Sequence, residues 1–279
     1  MKKIINDFIK KALYEDIGSG DITSIACVTK NGQGKVELIT KEDCQIAGVE
    51  MARKIYSFYD KTLKFQSFYQ DGDSVKQNTC IFKLSGNKQS ILATERLVLN
   101  CMQRMSGIAT KTNNFLIKLK GLETKILDTR KTCPTIRFLD KQAVKIGGGE
   151  NHRNGLYDCI MIKDNHIDFS GGIKHAIQNC KEYLKSKKKK INIIIEVRNI
   201  RELNEVLKYG KIDRILLDNF SIQDTQKAVN IVNNQYPLES SGNIDINNIR
   251  DYAMCGVNYI SIGALTHSVK NIDLSMVCI

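Results

Sequence analysis

The stretch INIIIEVRNIRELNEVLKYGKIDRILLDNFSIQDTQKAVNIVNNQYPLESSGNIDINNIRDYAMCGVNYISIGA, residues 191–264, decides the fold. Short apolar runs at Ile191 to Ile195, Arg214 to Leu217, Tyr236 to Leu238 and Tyr259 to Ile262 recur at intervals of about 22 residues. Between them, Ile200 to Tyr209, Ile222 to Asn233 and Ile246 to Cys255 carry apolar residues at helical spacing. The alternation reads βαβα and therefore predicts a mostly parallel sheet. Its regular repeat fits a closed α/β barrel better than an open sheet. The same rhythm extends upstream through Lys125 to Leu127, Asp158 to Ile162 and a helix at Gly172 to Leu184, while Gln142 to Gly149 is ambiguous and leaves the strand number open by one or two.

Ahead of residue 107 the pattern changes. The N-terminus carries Ile4, Ile5, Phe8, Ile9, Ala12 and Leu13 at helical spacing. Short strands are expected at Lys35 to Thr40 and Cys80 to Leu84, with turn signals at Asn31-Gly32 and Asp71-Gly72-Asp73. A longer helix is predicted from Ser90 to Met105. The only prolines are Pro134 and Pro237, and no Gly/Ser-rich linker marks a boundary, so domain limits rest on this change of pattern.

At 279 residues, with 42% hydrophobic and 26% charged side chains, the chain has material for one large or two modest cores, and disorder is a poor fit. No stretch approaches the roughly 20 apolar residues that span a bilayer. The first helix is too interrupted by charge for a signal peptide, so no membrane association and a cytoplasmic location are expected. Nine cysteines fall singly with no C-x-x-C pair, which predicts reduced thiols. A net charge of +12 fits nucleic acid, anionic lipid or small anionic substrates. Lys185 and Lys187 to Lys190 read as a solvated loop, however, and no tryptophan or interleaved aromatic platform accompanies the charge, which argues against a nucleic-acid partner.

The chemistry lies where each apolar run stops. Asp128-Thr129-Arg130-Lys131, Lys163-Asp164-Asn165-His166, Glu196-Val197-Arg198, Asp218-Asn219 and Glu239-Ser240-Ser241-Gly242 follow successive strands, and Gly263 closes the last. In a parallel barrel these positions share the C-terminal rim, where active sites of this architecture are assembled. Arg130, Lys131, His152, Arg153 and Lys163 are cationic donors suited to carboxylates and phosphates. Glu196 and Asp218, on adjacent strand ends, are placed to hold Mg²⁺ directly or through water, or else to pair with the nearby bases. Ser241-Gly242-Asn243 and Ile262-Gly263-Ala264 let backbone N–H groups approach a phosphate. Gly147-Gly148-Gly149 lacks the spacing of a dinucleotide fingerprint. None of the four histidines has the spacing of a helical zinc site. His175 falls on a predicted helix, and His152 is the histidine favoured for the site.

These segments resemble the quinolinate phosphoribosyltransferases along essentially the whole chain. The similarity begins at Tyr14-Glu15-Asp16 and Gly20-Asp21-Ile22-Thr23 and continues through Glu95-Arg96, Asn100 and Ser106 to Thr110. DTRKT at 128–132, GGGENHRNGLYD at 147–158, IKDNHI at 162–167, EVRN at 196–199, LLDNF at 216–220, ESSGNI at 239–244 and SIGALTHS at 261–268 complete it. The resemblance implies an N-terminal α/β sandwich over 1–106, joined by 268–279, and an incomplete, roughly seven-stranded α/β barrel over 107–267. It also implies a homodimer, or a larger assembly of dimers, with shared active sites. Arg104 matches an arginine that reaches the quinolinate carboxylates from the neighbouring protomer. Arg130, Lys131, His152, Arg153 and Lys163 match residues lining that subsite, and Glu196 and Asp218 match the carboxylates associated with Mg²⁺ and the ribose. Ser241, Gly242, Asn243, Gly263 and Ala264 fall where the family binds the 5-phosphate. Lys131, Lys163, Glu196 and Asp218 are the expected catalytic groups.

One departure stands out. The family follows its TRKT segment with a proline and glycine-leucine-arginine, whereas this chain has Thr132-Cys133-Pro134-Thr135-Ile136-Arg137 and lacks the glycine. The activity the resemblance implies is transfer of phosphoribosyl from 5-phosphoribosyl 1-diphosphate to quinolinate with decarboxylation, giving nicotinate mononucleotide. Competing readings are a related enzyme using another pyridine or anionic acceptor, a Schiff-base role for Lys163, and a polyanion-binding protein.

Overall fold

The computed structural model describes residues 2–279. In chain order the elements are α1 (Lys2–Ile17), α2 (Ile22–Cys27), β1 (Gln33–Thr40), β2 (Cys44–Gln45), α3 (Val49–Tyr59), β3 (Lys64–Ser67), β4 (Ser74–Val75), β5 (Cys80–Asn87) and α4 (Lys88–Lys118). There follow β6 (Lys125–Leu127), α5 (Arg137–Ile146), β7 (Ile160–Ile162), α6 (Asp164–Phe169), α7 (Ile173–Ser186), β8 (Ile193–Val197), α8 (Ile200–Tyr209) and β9 (Arg214–Asp218). The last are α9 (Ile222–Val232), β10 (Leu238–Ser241), α10 (Ile249–Met254), β11 (Tyr259–Ser261), α11 (Ala264–His267) and β12 (Leu274–Cys278). They form two compact units. One takes in the chain up to Asn113 together with Thr132–Gly148 and Ser268–Ile279; the other is Asn114–Lys131 with Gly149–His267.

The first unit is built on an antiparallel sheet ordered β12-β1-β5-β3. Along β1, Val36, Leu38 and Thr40 are buried while Lys35 is exposed, the period-two alternation of a strand with one face on a core. Leu38 pairs with Phe82 on β5 and Met276 on β12, and the β1–β5 register shifts between Leu38 and Ile39. Helix α3 covers this face with Ile55 and Tyr56, and the Tyr56, Phe65 and Phe82 rings pack together.

Helix α4 runs well beyond the end expected at Met105. Gly107 does not stop it, because the glycine answers a packing demand: a Cβ there would stand 2.3 Å from the Lys270 carbonyl oxygen. Its missing side chain lets the C-terminal segment lie against the helix, and local propensity yields to that contact.

The second unit contains the parallel sheet expected from the repeat, ordered β6-β11-β10-β9-β8-β7. All five β8 residues are buried, as expected for a strand covered on both faces. Asn199 and Ser221 cap α8 and α9 by accepting the Glu202 and Asp224 backbone N–H groups. Register places the strand ends at one level: Ser261 pairs with Leu127, Ser241 with both Ser261 and Asp218, and Val197 with Leu217.

Three sequence expectations change. The ambiguous segment before Glu150 is mostly α5, which belongs to the first unit, and only Glu150 makes a parallel bridge to Leu127. The strand expected at Tyr236 to Leu238 lies further on, at Leu238–Ser241: Glu239 and Ser240 are buried despite their polarity, and Arg214 holds the Glu239 carboxylate inside. Finally, where the rhythm favoured a closed barrel and the resemblance an incomplete one of roughly seven strands, pairing among the described residues joins six strands in a row with the Glu150 bridge beyond β6. All nine cysteines are free thiols, and no described helix is long and apolar enough to cross a membrane.

Candidate active site

The aligned strand ends open into a cavity of about 690 Å³, to which all six strands of the parallel sheet or the residues just after them contribute. It brings together Arg130, Lys131, His152, Arg153 and Lys163 with Glu196 and Asp218, and with Ser241, Gly242, Asn243, Gly263 and Ala264. Arg104 belongs to the first unit. There its Nε and one terminal nitrogen donate to the two oxygens of buried Asp140 at 2.8 and 2.9 Å.

Positive charge is concentrated on one stretch of the wall. Among the described residues neither Arg130 nor Lys131 makes a side-chain ion pair. Lys131 is fixed through its backbone: its N–H donates to Thr129 Oγ1 at 3.0 Å and its carbonyl accepts from Thr266 Oγ1 at 2.7 Å. Arg153 donates to the Cys159 carbonyl at 3.3 Å. Burial, and then the charge of Arg130, push the Arg153 guanidinium below its ordinary pKa. Crowded cations of this kind are relieved by an anion, for which arginine offers paired donors.

The two expected acids differ in their engagement. Glu196, near the end of β8, is salt-bridged to Lys163 at 2.5 Å, so the alternative of a base pair is realised for this residue. Asp218 ends β9 and accepts from the Asn219 side chain at 2.9 Å. No cluster of three or more His, Cys, Asp or Glu side chains suited to a metal occurs among the described residues. Two hard carboxylates facing one cavity nevertheless fit Mg²⁺, provided that phosphate oxygens and water complete its shell.

A cradle lies at the ends of β9, β10 and β11. Gly242 has φ +94°, and a Cβ on it would meet Asn219 Oδ1 at 2.2 Å. Asn219 and Asn243 adopt positive φ of 54° and 51°, which asparagine tolerates better than most residues. Asn219 donates its backbone N–H to the Ser241 carbonyl at 2.8 Å and accepts from the Asn243 side chain at 3.2 Å. Gly263 leads directly into α11 at Ala264. The result is a tight backbone surface of the kind that receives phosphate oxygens.

His152 departs from its expected part. Its backbone N–H donates to buried Asp128 at 2.7 Å, and its Nδ1 accepts the Arg153 backbone N–H at 2.8 Å. A ring nitrogen that accepts carries no proton, so His152 lines the cavity without being the cationic donor its residue type suggested. Its Nε2 lies 3.3 Å from Glu239 Oε1, and Arg214 donates to the other Glu239 oxygen at 2.9 Å. Burial raises the Glu239 carboxyl, but the polar neighbours His152, Arg214 and Ser261 outweigh it and hold the group below the ordinary glutamate pKa.

Asn219 and Glu239 are site residues that sequence reasoning named only as strand-end polar groups. A glutamate inside a strand that must be buried was the available signal for Glu239; the misplaced strand concealed it.

With this geometry established, comparison with known proteins identifies the lineage. The Quinolinate phosphoribosyl transferase N-terminal domain model matches residues 21–106, and the C-terminal domain model matches residues 108–277. The chain belongs to the quinolinate phosphoribosyltransferase family. It is 41% identical over 283 residues to the chloroplastic carboxylating nicotinate-nucleotide pyrophosphorylase of Arabidopsis thaliana, covering 96% of this chain and 81% of that protein. The probable carboxylating nicotinate-nucleotide pyrophosphorylase of Bacillus subtilis is 38% identical, over 99% of this chain and 92% of its own length. The solved nicotinate-nucleotide pyrophosphorylase of Francisella tularensis superposes with a TM-score of 0.91 at 38% identity, over 100% of this chain and 97% of that one. In this quinolinate phosphoribosyltransferase family member Thr135, in the loop after TRKT where the resemblance implies a glycine, has φ +67°. Thr135 thus takes the left-handed conformation that glycine adopts freely and a β-branched residue does not.

Proposed function

We propose that this protein transfers phosphoribosyl from 5-phosphoribosyl 1-diphosphate to the ring nitrogen of quinolinate and releases carbon dioxide, forming nicotinate mononucleotide and diphosphate for NAD biosynthesis. The supporting observation is the division of the cavity into a cationic wall at Arg130, Lys131 and Arg153, an acidic pair at Glu196 and Asp218, and a cradle at Gly242–Asn243 and Gly263–Ala264. One substrate carries two carboxylates and the other a phosphate at one end and a diphosphate at the other. The three regions suit these groups in turn.

Quinolinate binds through Arg130, Arg153 and Lys131, whose charges offset its carboxylates and let it approach a second anion. The 5-phosphate enters the cradle of Ser241, Gly242, Asn243, Gly263 and Ala264. Held at both ends, the ribose presents its anomeric carbon to the pyridine nitrogen, an advantage of positioning worth several orders of magnitude. The N–C1 bond forms as the C1–O bond to diphosphate breaks, with positive charge developing on the ribose. Glu196 and Asp218 oppose that charge, and Lys163 steadies Glu196. Glu196 and Asp218 would also hold Mg²⁺, which when bound supplies charge neutralisation to the departing diphosphate. Nitrogen alkylation leaves the ring cationic. The adjacent C–C bond then breaks, carbon dioxide leaves, and the electron pair at that carbon takes up a proton. The cationic ring accommodates that pair, so no separate decarboxylation cofactor is assigned.

The same proposal makes the working unit a homodimer, or an assembly of dimers, in which Arg104 reaches the neighbouring protomer's quinolinate. It places the protein in the cytoplasm with no membrane or nucleic-acid partner. Incubation with quinolinate, 5-phosphoribosyl 1-diphosphate and Mg²⁺ tests the reaction, with nicotinate as parallel substrate. Loss of quinolinate with stoichiometric nicotinate mononucleotide is expected; use of nicotinate in its place would reassign the dicarboxylate region. Sedimentation and cell fractionation test the assembly and the location.

A further inference from the structure

One buried carboxylate of the cavity has no part in the reaction as described. Glu239 is 0% exposed on β10, between Leu216 of β9 and Tyr259 of β11. A carboxylate in that position is costly unless partners surround it. Arg214 supplies the charge at 2.9 Å, its guanidinium lying 4.0 Å from the centre of the Tyr259 ring. The second oxygen faces His152 Nε2 at 3.3 Å.

The far side of the imidazole settles the proton. Nδ1 accepts the Arg153 backbone N–H at 2.8 Å, so Nδ1 is bare and the ring proton sits on Nε2, toward Glu239. The contact is long for a hydrogen bond, and such contacts in ligand-free sites shorten when substrate closes on them. Carboxylate, imidazole and the Arg153 backbone thus stand in series. The last member of the series carries a guanidinium of the cationic wall.

From this geometry we propose that Glu239 is a positioning residue for the dicarboxylate subsite: it holds His152 in the Nε2–H tautomer, which leaves Nδ1 to anchor the Arg153 backbone and thereby aim the Arg153 guanidinium. The proposal rests on the reading that Arg153 binds the quinolinate carboxylates. Glu239 touches no substrate and acts through its neighbours. A purely structural carboxylate would stabilise the fold without governing a tautomer or favouring one substrate over the other.

Glu239→Gln separates these cases. The amide keeps the shape but has one acceptor where the carboxylate has two, and Arg214 claims it, turning the NH₂ group toward His152. Imidazole ¹⁵N spectra of histidine-labelled protein read the tautomer directly; there are four histidines, and His152→Gln assigns the signal. Near neutral pH the unaltered protein is expected to show His152 as Nε2–H. Glu239→Gln shifts the ring toward Nδ1–H and raises the quinolinate KM about tenfold or more, with the phosphoribosyl diphosphate KM within about twofold. The pair Glu239→Gln with Arg214→Met frees the amide oxygen for His152 and restores both the tautomer and most of the quinolinate KM. This pair also serves if the single variant fails to fold. An Nδ1–H ring or an imidazolium in the unaltered protein overturns the proposal, as does an equal rise in both KM values, an unchanged quinolinate KM, or failure of the pair to restore it. An unaltered protein that turns over no quinolinate overturns the reaction itself and the proposal with it, whereas turnover with kinetically silent Glu239→Gln overturns the proposal alone.

Discussion

Lys131 passes across Gly263 so closely that a Cβ on the glycine would stand 2.9 Å from Lys131 Cδ and 3.1 Å from His267 Cδ2. The end of β11 is shaped around the lysine stem. Because no left-handed φ is required at Gly263, alanine there acts by displacing side chains. Gly263→Ala is expected to lower kcat/KM about tenfold or more through misplacement of Lys131, with a melting temperature within a few degrees of the parent. Kinetics and a thermal melt on the same preparation check both halves.

Arg104 and Asp140 make a second prediction. Asp140 is fully buried and also accepts the Cys133 backbone N–H at 3.2 Å. Asp140→Ala strands a half-buried guanidinium and is expected to destabilise the protein by about 3 kcal/mol in chemical denaturation. Arg104→Ala should raise the quinolinate KM. If the site is shared between protomers, pairing Arg104→Ala subunits with inactive Lys163→Ala subunits lowers the raised quinolinate KM toward that of the parent; no such recovery in a verified heterodimer excludes the sharing.

Thr135 supplies a gain. A β-branched residue in the left-handed region costs about 1–2 kcal/mol, and glycine repays part of its own benefit through about 0.5–1 kcal/mol of chain entropy. Thr135→Gly is therefore expected to stabilise the protein by about 0.5–1 kcal/mol. An unchanged denaturation midpoint would show that the loop already accommodates threonine without strain.

Acid melts address Glu239. Its carboxyl is held below the ordinary value of 4.5, so the folded protein binds this proton less tightly than the unfolded chain. The stabilisation is complete above that ordinary value and is lost as pH falls through the lower folded value. The melting-temperature gap between the parent and Glu239→Gln should be widest near neutrality and narrow below about pH 4.5. A gap that stays constant into acid would show that the carboxylate charge is not the source.

Much of the site was legible because strand ends in a parallel sheet converge, so Arg130, Lys163, Glu196 and Asp218 needed only the rhythm of the apolar runs to be placed together. Gly107 shows where such reading ends: the helix expected to stop at Met105 runs on through it, and only the Lys270 carbonyl, distant in sequence, explains the glycine. Ser240 and Glu239 mark a second limit, since polarity pointed outward while Arg214 and His152 hold the carboxylate inside. The protonation of His152 required a third kind of information, the direction of a neighbouring backbone N–H.

The pairing of β1 with β12 has a consequence for synthesis. The strand that completes the first sheet is made nearly a whole chain-length after its neighbour, and the second unit is translated in between. Until then β1 emerges from the ribosome with one edge of backbone donors and acceptors unmatched, open to pairing with the wrong chain. The exposure therefore lasts through nearly all of synthesis, and a nascent-chain chaperone that shields the β1 edge until the last strand emerges is expected to improve yield.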